Sequence, residues 1–348
     1  MKNLKKVIWA TAILGLFICG FFAYRIYNSI FSPNTNFENK EAYVFIPSDA
    51  SIANVKEQLI PLLKDVNSFE AVAQRKGYSN NVKGGKYIIK KGMNNNDIVN
   101  SLRSRNIPVK VSFNNQETVE ALAGRIATQI EPDSLALINA FNARDFLNTN
   151  KFDNDTKLSL YLPNTYEFFW NASATDFRDK MLKEYHRFWN EERLSKAEKL
   201  NLTPQEVASL AAVVQKETAK VDERPKVAGV YLNRLKRGIP LQADPTVIFA
   251  IKKETGNYDT IIKRVLYRDL EIKSPYNTYK NTGLPPGPIT MPDISSINAV
   301  LNAEKHDYLF FVADVSNFGY HMFAKTLAQH NRNKRQYIRW LNNQRINR

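Results

Sequence analysis

The chain has one cysteine, Cys19, so neither a disulfide framework nor a thiolate metal cluster can be built within it. Its four histidines, His186, His306, His321 and His330, stand apart and offer no zinc-ligand spacing, and no other metal or organic cofactor is implied. Acidic residues are few beside basic ones, 34 Asp and Glu against 49 Lys and Arg, which gives a formal charge of +15. That balance favours an anionic partner such as nucleic acid, a membrane face or an acidic polymer, and its sign alone does not choose among them. No acidic residue follows Asp314, whereas Lys325, Arg332, Lys334, Arg335, Arg339, Arg345 and Arg348 accumulate. The tail reads either as a contact for an anionic polymer or membrane, or as a solvated basic helix. What the 348 residues do hold is 43% hydrophobic side chains with 20 Phe, 16 Tyr and 4 Trp, enough for a buried core and two or three modules, and this excludes disorder as the main state.

The one long apolar run is Val7–Tyr24, preceded by Lys2, Lys5 and Lys6. At 1.5 Å per residue it spans roughly 27 Å, close to the hydrocarbon thickness of a bilayer. The lysines place the stub 1–6 in the cytoplasm and send everything after Arg25 across the inner (cell) membrane, a topology that sets nucleic acid aside. A cleaved signal peptide is the competing reading; the run is long for one, and no A-x-A-like site follows. Ile18 also stands where a lipoprotein would need a small residue before Cys19. Residues 25–41 lack periodicity and read as a tether.

A strand at Ala42–Ile46 is followed by Ile52, Val55, Leu59 and Leu62 at helical spacing, then a second helical pattern over Phe69–Arg75. A strand and turn at Gly85–Gly92 and a short helix at Asn96–Arg103 complete a unit of strand, helix, helix, strand, helix. Shifting from Val44, Ile46, Ser51, Val55 and Leu59 to Val111, Phe113, Thr118, Leu122 and Ile126 reproduces the pattern. Tyr87, Asp97, Ile98 and Leu102 match Tyr166, Asp176, Phe177 and Met181 after an insertion. Either the unit repeats, or two amphipathic segments share a common pattern. Residues 183–200 are charge-rich and helical in composition.

Thr203-Pro-Gln-Glu206 is a capping box with proline at the first helical position, and it predicts a helix from Pro204 to about Ala219. Val207, Leu210, Val213 and Val214 form its apolar stripe, and steps of three and four from the last two reach Glu217. A carboxylate facing the interior has a raised pKa, as a general acid working near neutral pH requires. The alternative is that Glu217 turns to solvent and pairs with Lys220 or Arg224. A second helix is expected to open at Asp222 as its cap and to run through Val227, Val230, Tyr231 and Leu235 to Gly238. Glu223 and Arg224 form a surface ion pair or hold substrate and Glu217. Asp244, followed by Pro245, reads equally as a helix cap or a functional carboxylate.

The stretch Ser274–Ile289 holds four prolines and two glycines and cannot be regular helix or strand. Its Tyr276 and Tyr279 offer flat faces and its Asn277, Thr278 and Asn281 directional hydrogen bonds, a set suited to sugar rings; a rigid packing loop is the other reading. Tyr308–Asp314 and Gly319–Ala324 read as a hairpin, with His321 and His330 as hydrogen-bonded packing residues.

Several short motifs occur in one order: Lys216-Glu-Thr218, Glu223-Arg224, Tyr231-Leu-Asn-Arg234, Leu241-Gln-Ala-Asp-Pro-Thr-Val247, Tyr276-Asn-Thr-Tyr279, Gly283-Leu-Pro-Pro-Gly-Pro-Ile289, Phe311-Val-Ala313 and His330-Asn331. Together they resemble the MltG (YceG-like) family of endolytic murein transglycosylases over nearly the whole chain. The resemblance implies an α+β fold: a transmembrane helix at 7–24, a LysM-like module at 42–107 and a catalytic region at 108–348. Within that region 108–185 would be a degenerate repeat of the module and 203–348 the catalytic core. It implies Glu217 as catalytic acid, with Glu223, Arg224, Gln242, Asp244, Tyr276, Asn277, Thr278 and Tyr279 binding substrate or supporting the site, and no metal.

The implied reaction cleaves the β-1,4 bond between N-acetylmuramic acid and N-acetylglucosamine in nascent strands, with the muramic acid 6-hydroxyl as internal nucleophile. An ordinary glycosidase needs a second carboxylate; this chemistry does not. The implied partners are peptidoglycan strands and the penicillin-binding synthases that make them. Two other readings stand: a muramidase in which Glu223 or Asp244 helps a water, and a non-catalytic wall-binding scaffold.

Overall fold

The computed structural model describes residues 2–343, so Arg345 and Arg348 of the basic tail lie outside the described residues. Helix α1 covers Lys2–Phe31; it is exposed over most of 4–27 and half-buried at Asn28–Ile30, where Ile30 packs against the core of the first unit. Its Leu4–Phe31 portion is long and apolar enough to cross a membrane. The helix outruns the Val7–Tyr24 run, and the segment after Phe31 is not a free tether. Pro33 bridges Asn94 and Thr35 bridges Leu63. Asn34 is buried, and its Nδ2 donates to Asp65 O at 2.8 Å and to Asn95 Oδ1 at 2.7 Å. The polar residues that read as linker from composition are instead hydrogen-bonding partners, because an amide side chain stays buried only when its groups are satisfied.

The chain forms two compact units. The first holds residues up to 111 with 128–132 and 166–173. In it β1 (Glu41–Ile46) pairs antiparallel with β2 (Gly85–Lys90), Val44 opposite Tyr87. Helices α2 (Ile52–Leu59) and α3 (Val66–Arg75) lie between them in sequence, and α4 (Asn95–Arg103) comes after β2. Each of these helices starts where a polar side chain supplies an acceptor for its unpaired N–H groups. Ser51 and Asn54 cap α2 reciprocally, Asp65 caps α3 and Asn94 caps α4. Val44, Ile46, Leu59, Phe69, Ile89 and Ile98 form its buried centre.

A similar element order, with one more helix between the strands, comes with β3 (Pro108–Phe113), α5 (Val119–Ala127), α6 (Ser134–Phe141), α7 (Arg144–Thr149), β4 (Asn164–Phe169) and α8 (Ala174–Phe188), and β3 pairs with β4. Val111, Phe113, Leu122, Ile126, Phe177 and Met181 are all buried, like their counterparts in the first passage. The compact units do not divide at 107/108, since β3 and β4 each straddle the division.

The second unit holds 112–127, 133–165 and everything from 174 on. After α9 (Glu191–Lys199) comes α10 (Pro204–Glu217), opened by the Thr203/Glu206 capping box with Pro204 at the first turn. Around it pack α11 (Arg224–Lys236), α12 (Asp244–Thr255) and α13 (Ile294–Leu301). With Val207 through Val214 all buried, α10 is a central helix enclosed on every side rather than a striped one. The hairpin of β5 (Phe310–Ala313) and β6 (His321–Ala324) sets Phe311 opposite Phe323, and α14 (Leu327–Asn343) comes after it.

Two expected caps are absent. Helix α11 begins after Glu223 with no side-chain cap, and the Asp222 carboxylate accepts the Tyr320 hydroxyl at 2.9 Å instead. Helix α12 begins after Ala243, which leaves Asp244 inside the first turn, where its carboxylate is not needed by the helix.

Candidate active site

Glu217 is the last residue of α10, where the macrodipole disfavours an anion. It keeps an opening to solvent, yet protein surrounds the carboxyl closely. The Tyr231 hydroxyl, on α11, donates to Oε1 at 2.5 Å. Burial pushes the Glu217 pKa up from 4.5 to about 7; the Tyr231 bond and Arg234 pull it down and the charge of Asp244 raises it further. Among the described residues Glu217 makes no ion pair. The cations nearest it in sequence have other partners: Lys216 bonds Glu117, Lys220 lies over the Tyr320 ring and Arg224 bonds Asp293.

Asp244 and Tyr279 lie close enough to act on it electrostatically, and Gln242 is tied to Arg234, which acts on it too. The Tyr279 hydroxyl donates to Asp244 Oδ1 at 2.5 Å. Gln242 has φ 53°, a left-handed conformation that a non-glycine residue holds only when its surroundings impose it. Those surroundings are visible. Arg234 donates to the carbonyls of Leu309, Pro240 and Leu241 at 2.7, 3.0 and 2.8 Å, and to Gln242 Oε1 at 3.3 Å. Gln242 N–H meets Thr278 O and Ala243 N–H meets Thr278 Oγ1, both at 3.0 Å. Thr278 Oγ1 also contacts Thr246 Oγ1 at 2.8 Å. Gln242 and Asp244 are exposed and Tyr279 and Glu217 partly so, whereas Tyr231, Arg234, Thr246 and Thr278 are buried. The open face of the site is therefore Glu217, Gln242, Asp244 and Tyr279.

Glu223 and Arg224 form neither the expected surface pair nor a contact with Glu217. Glu223 is buried; its carboxylate accepts the His321 N–H at 2.7 Å, His321 Nδ1 at 2.8 Å and the Thr218 hydroxyl at 3.0 Å. A carboxylate only accepts here, so Nδ1 carries a hydrogen. The arrangement fastens the residue after Glu217 to the β5–β6 hairpin and engages both carboxylate oxygens. Arg224, also buried, donates to both oxygens of Asp293 at 3.0 Å and to Ser295 at 2.7 Å. It braces the start of α13, which Asp293 caps.

The 274–289 loop divides between the two readings. Tyr276 is 2% exposed, packs on Phe249 and donates to Asp155 at 3.0 Å, so it has no free face for a sugar. Asn277 is fully buried: its amide donates to the Leu270 and Ile272 carbonyls at 2.9 Å, and its Oδ1 accepts from Tyr279 N–H. Neither meets the expectation of contact with glycan; both shape the loop that presents Tyr279. At Gly287 a Cβ would collide with the Asp155 carbonyl, so the loop lies against that turn only as glycine.

Residue patterning passed over Tyr231 and Arg234 as site residues. Tyr231 read as part of an apolar helix face, and the signal that marks it is a phenol on a buried face, which must find an acceptor. A hollow of about 770 Å³ along Leu202, Glu206, Leu232 and Pro285 contains none of these site residues.

The model of the YceG-like family matches residues 44–336. The chain belongs to the YceG-like family. This YceG-like chain is 33% identical over 344 residues to the endolytic murein transglycosylase of Bacillus subtilis (strain 168), covering 93% of this chain and 91% of that one. The endolytic murein transglycosylase of Streptococcus pneumoniae (strain D39) is 40% identical over 138 residues, 40% of this chain and 24% of its own. In structure the chain resembles a YceG-like protein of Listeria monocytogenes known from a 2.6 Å crystal structure, with a TM-score of 0.56 and 27% identity, covering 85% of this chain and 99% of that one. The α+β expectation thus becomes a YceG-like fold.

Proposed function

We propose that this YceG-like protein is a membrane-anchored endolytic murein transglycosylase with Glu217 as its acid and then its base. The observation that carries the assignment is the Glu217 carboxyl, raised to about 7 by burial and held by a single phenol. Tyr231 donates to Oε1, so the proton of the neutral acid resides on Oε2. From there it passes to the bridging O4 as the C1–O4 bond breaks. The carboxylate left behind takes the proton of the muramic acid 6-hydroxyl as O6 bonds to C1. The 1,6-anhydro ring closes without water, and Glu217 is protonated again.

The chain's relatives named endolytic murein transglycosylases support peptidoglycan as substrate. The locked state of Glu223 argues against the muramidase in which it activates a water. Three lysines before the apolar part of α1 support a cytoplasmic N-terminus and an extracytoplasmic catalytic region. The order of β1, α2, α3 and β2 supports a LysM-like reading of 42–107. The test is digestion of purified peptidoglycan by the full chain in detergent, with the products weighed. Anhydro-ended fragments are expected from the wild type and none from Glu217→Gln; reducing ends would establish a hydrolase, and uncut strands a scaffold.

A further inference from the structure

A second cavity, of about 390 Å³, opens one residue along from each of the two carboxylates of the open face, at Lys216 beside Glu217 and at Pro245 beside Asp244. Two features set it apart from a solvent gap. Lys216 and Lys252 both line it and share one carboxylate, Glu117, at 2.7 and 2.8 Å. Two ammonium groups on one carboxylate leave a surplus positive charge at the inner wall, and Asp259 adds a negative one among its lining residues in an exposed position. The remaining wall is mostly apolar apart from Tyr258 and Thr260, with Ile289 buried and Ile261 83% exposed.

The proposed reaction, on which this inference rests, fixes the sugar at Glu217 as the one whose own 6-hydroxyl attacks. That sugar is the muramic acid, and its lactyl group carries the stem peptide out of the glycan path. We propose that the Lys216–Lys252–Ile261 cavity is the subsite for this peptide: a short chain of small apolar residues and free carboxylates. The methyl groups of its alanines would meet Ile261 and Ile289, and a carboxylate would complete the charge of the two lysines. The enzyme is then selective for strands that bear stems and discriminates against stripped glycan.

The test compares two substrates of the full chain in detergent: uncrosslinked strands bearing stems, and the same strands stripped by an amidase. Wild type is expected to show the lower KM on stem-bearing strands. Ile261→Glu, at a site too exposed to support folding, removes apolar contact and adds a like charge. It should raise KM on stem-bearing strands about three- to tenfold and leave stripped strands unchanged. Lys252→Gln should act in the same direction. Equal wild-type KM on both substrates, or an equal effect of Ile261→Glu on both, would overturn the subsite while leaving the transglycosylase standing. Failure of the wild type to cut either substrate would remove both.

Discussion

Replacing Glu217 by glutamine should give a protein that is inactive and, above neutral pH, more stable than the wild type. The folded state holds the carboxyl at about 7 against 4.5 when unperturbed. A group raised in this way contributes its full stability below the unfolded value, and loses it as pH climbs to the folded one. From pH 4.5 to 7 the wild type therefore loses at most about 3 kcal/mol at this position, and less to the extent that the opening to solvent relieves the carboxylate. Glutamine is neutral throughout and still accepts the Tyr231 hydroxyl, so it loses nothing over that window. Urea unfolding of both proteins between pH 4 and 8 reads the prediction directly. The variant's advantage should be least near pH 4, grow toward pH 7 by about 1–3 kcal/mol, and then level off. An advantage that does not change with pH would refute the claim that burial raises Glu217. On the activity side, general acid catalysis contributes about 10²–10⁴-fold, so a folded variant within about tenfold of wild type would show that another group is the acid.

Tyr231→Phe removes a bond that lowers the Glu217 pKa; at about 1.5–3 kcal/mol for a charged acceptor, the alkaline limb of kcat/KM should move up by about one to two pH units. Asp244→Asn removes a charge that raises it, so the same limb should move down; two shifts of the same sign would break the assignment. Glu223→Gln should weaken the tie among Thr218, His321 and the hairpin, lowering the urea midpoint along with activity; lost activity at unchanged stability would give Glu223 a direct chemical role. Gly287→Ala should destabilise the second unit by more than about 1 kcal/mol through the Asp155 collision, and a wild-type midpoint would show that the loop can move aside.

The local grammar of this chain was open to reading because it is written in adjacent residues. Ser51, Asp65, Asn94 and Thr203 each start a helix by a bond to a backbone N–H within three residues, so a sequence window contains both partners. The strand–helix order and its second passage arise from spacing that a single segment displays. Helical phase also brought Glu217 forward, even though α10 is buried all round and phase alone did not separate its faces.

Bonds between distant residues decided the rest. Asp222 and Asp244 have the look of caps, yet their oxygens are taken by Tyr320 and Tyr279, 98 and 35 positions away. Tyr276 and Asn277 have the chemistry of sugar ligands, and burial assigns them to Asp155 and to the Leu270 and Ile272 carbonyls. Glu223 looked like half of an ion pair, and its real partner, His321, lies 98 residues on. The sequence by itself determined which segments become helices or strands and which carboxylate ends the buried helix. Tertiary structure alone decided which polar groups remain free to meet a substrate, because a side chain's chemistry is set by the partner that removes it from water.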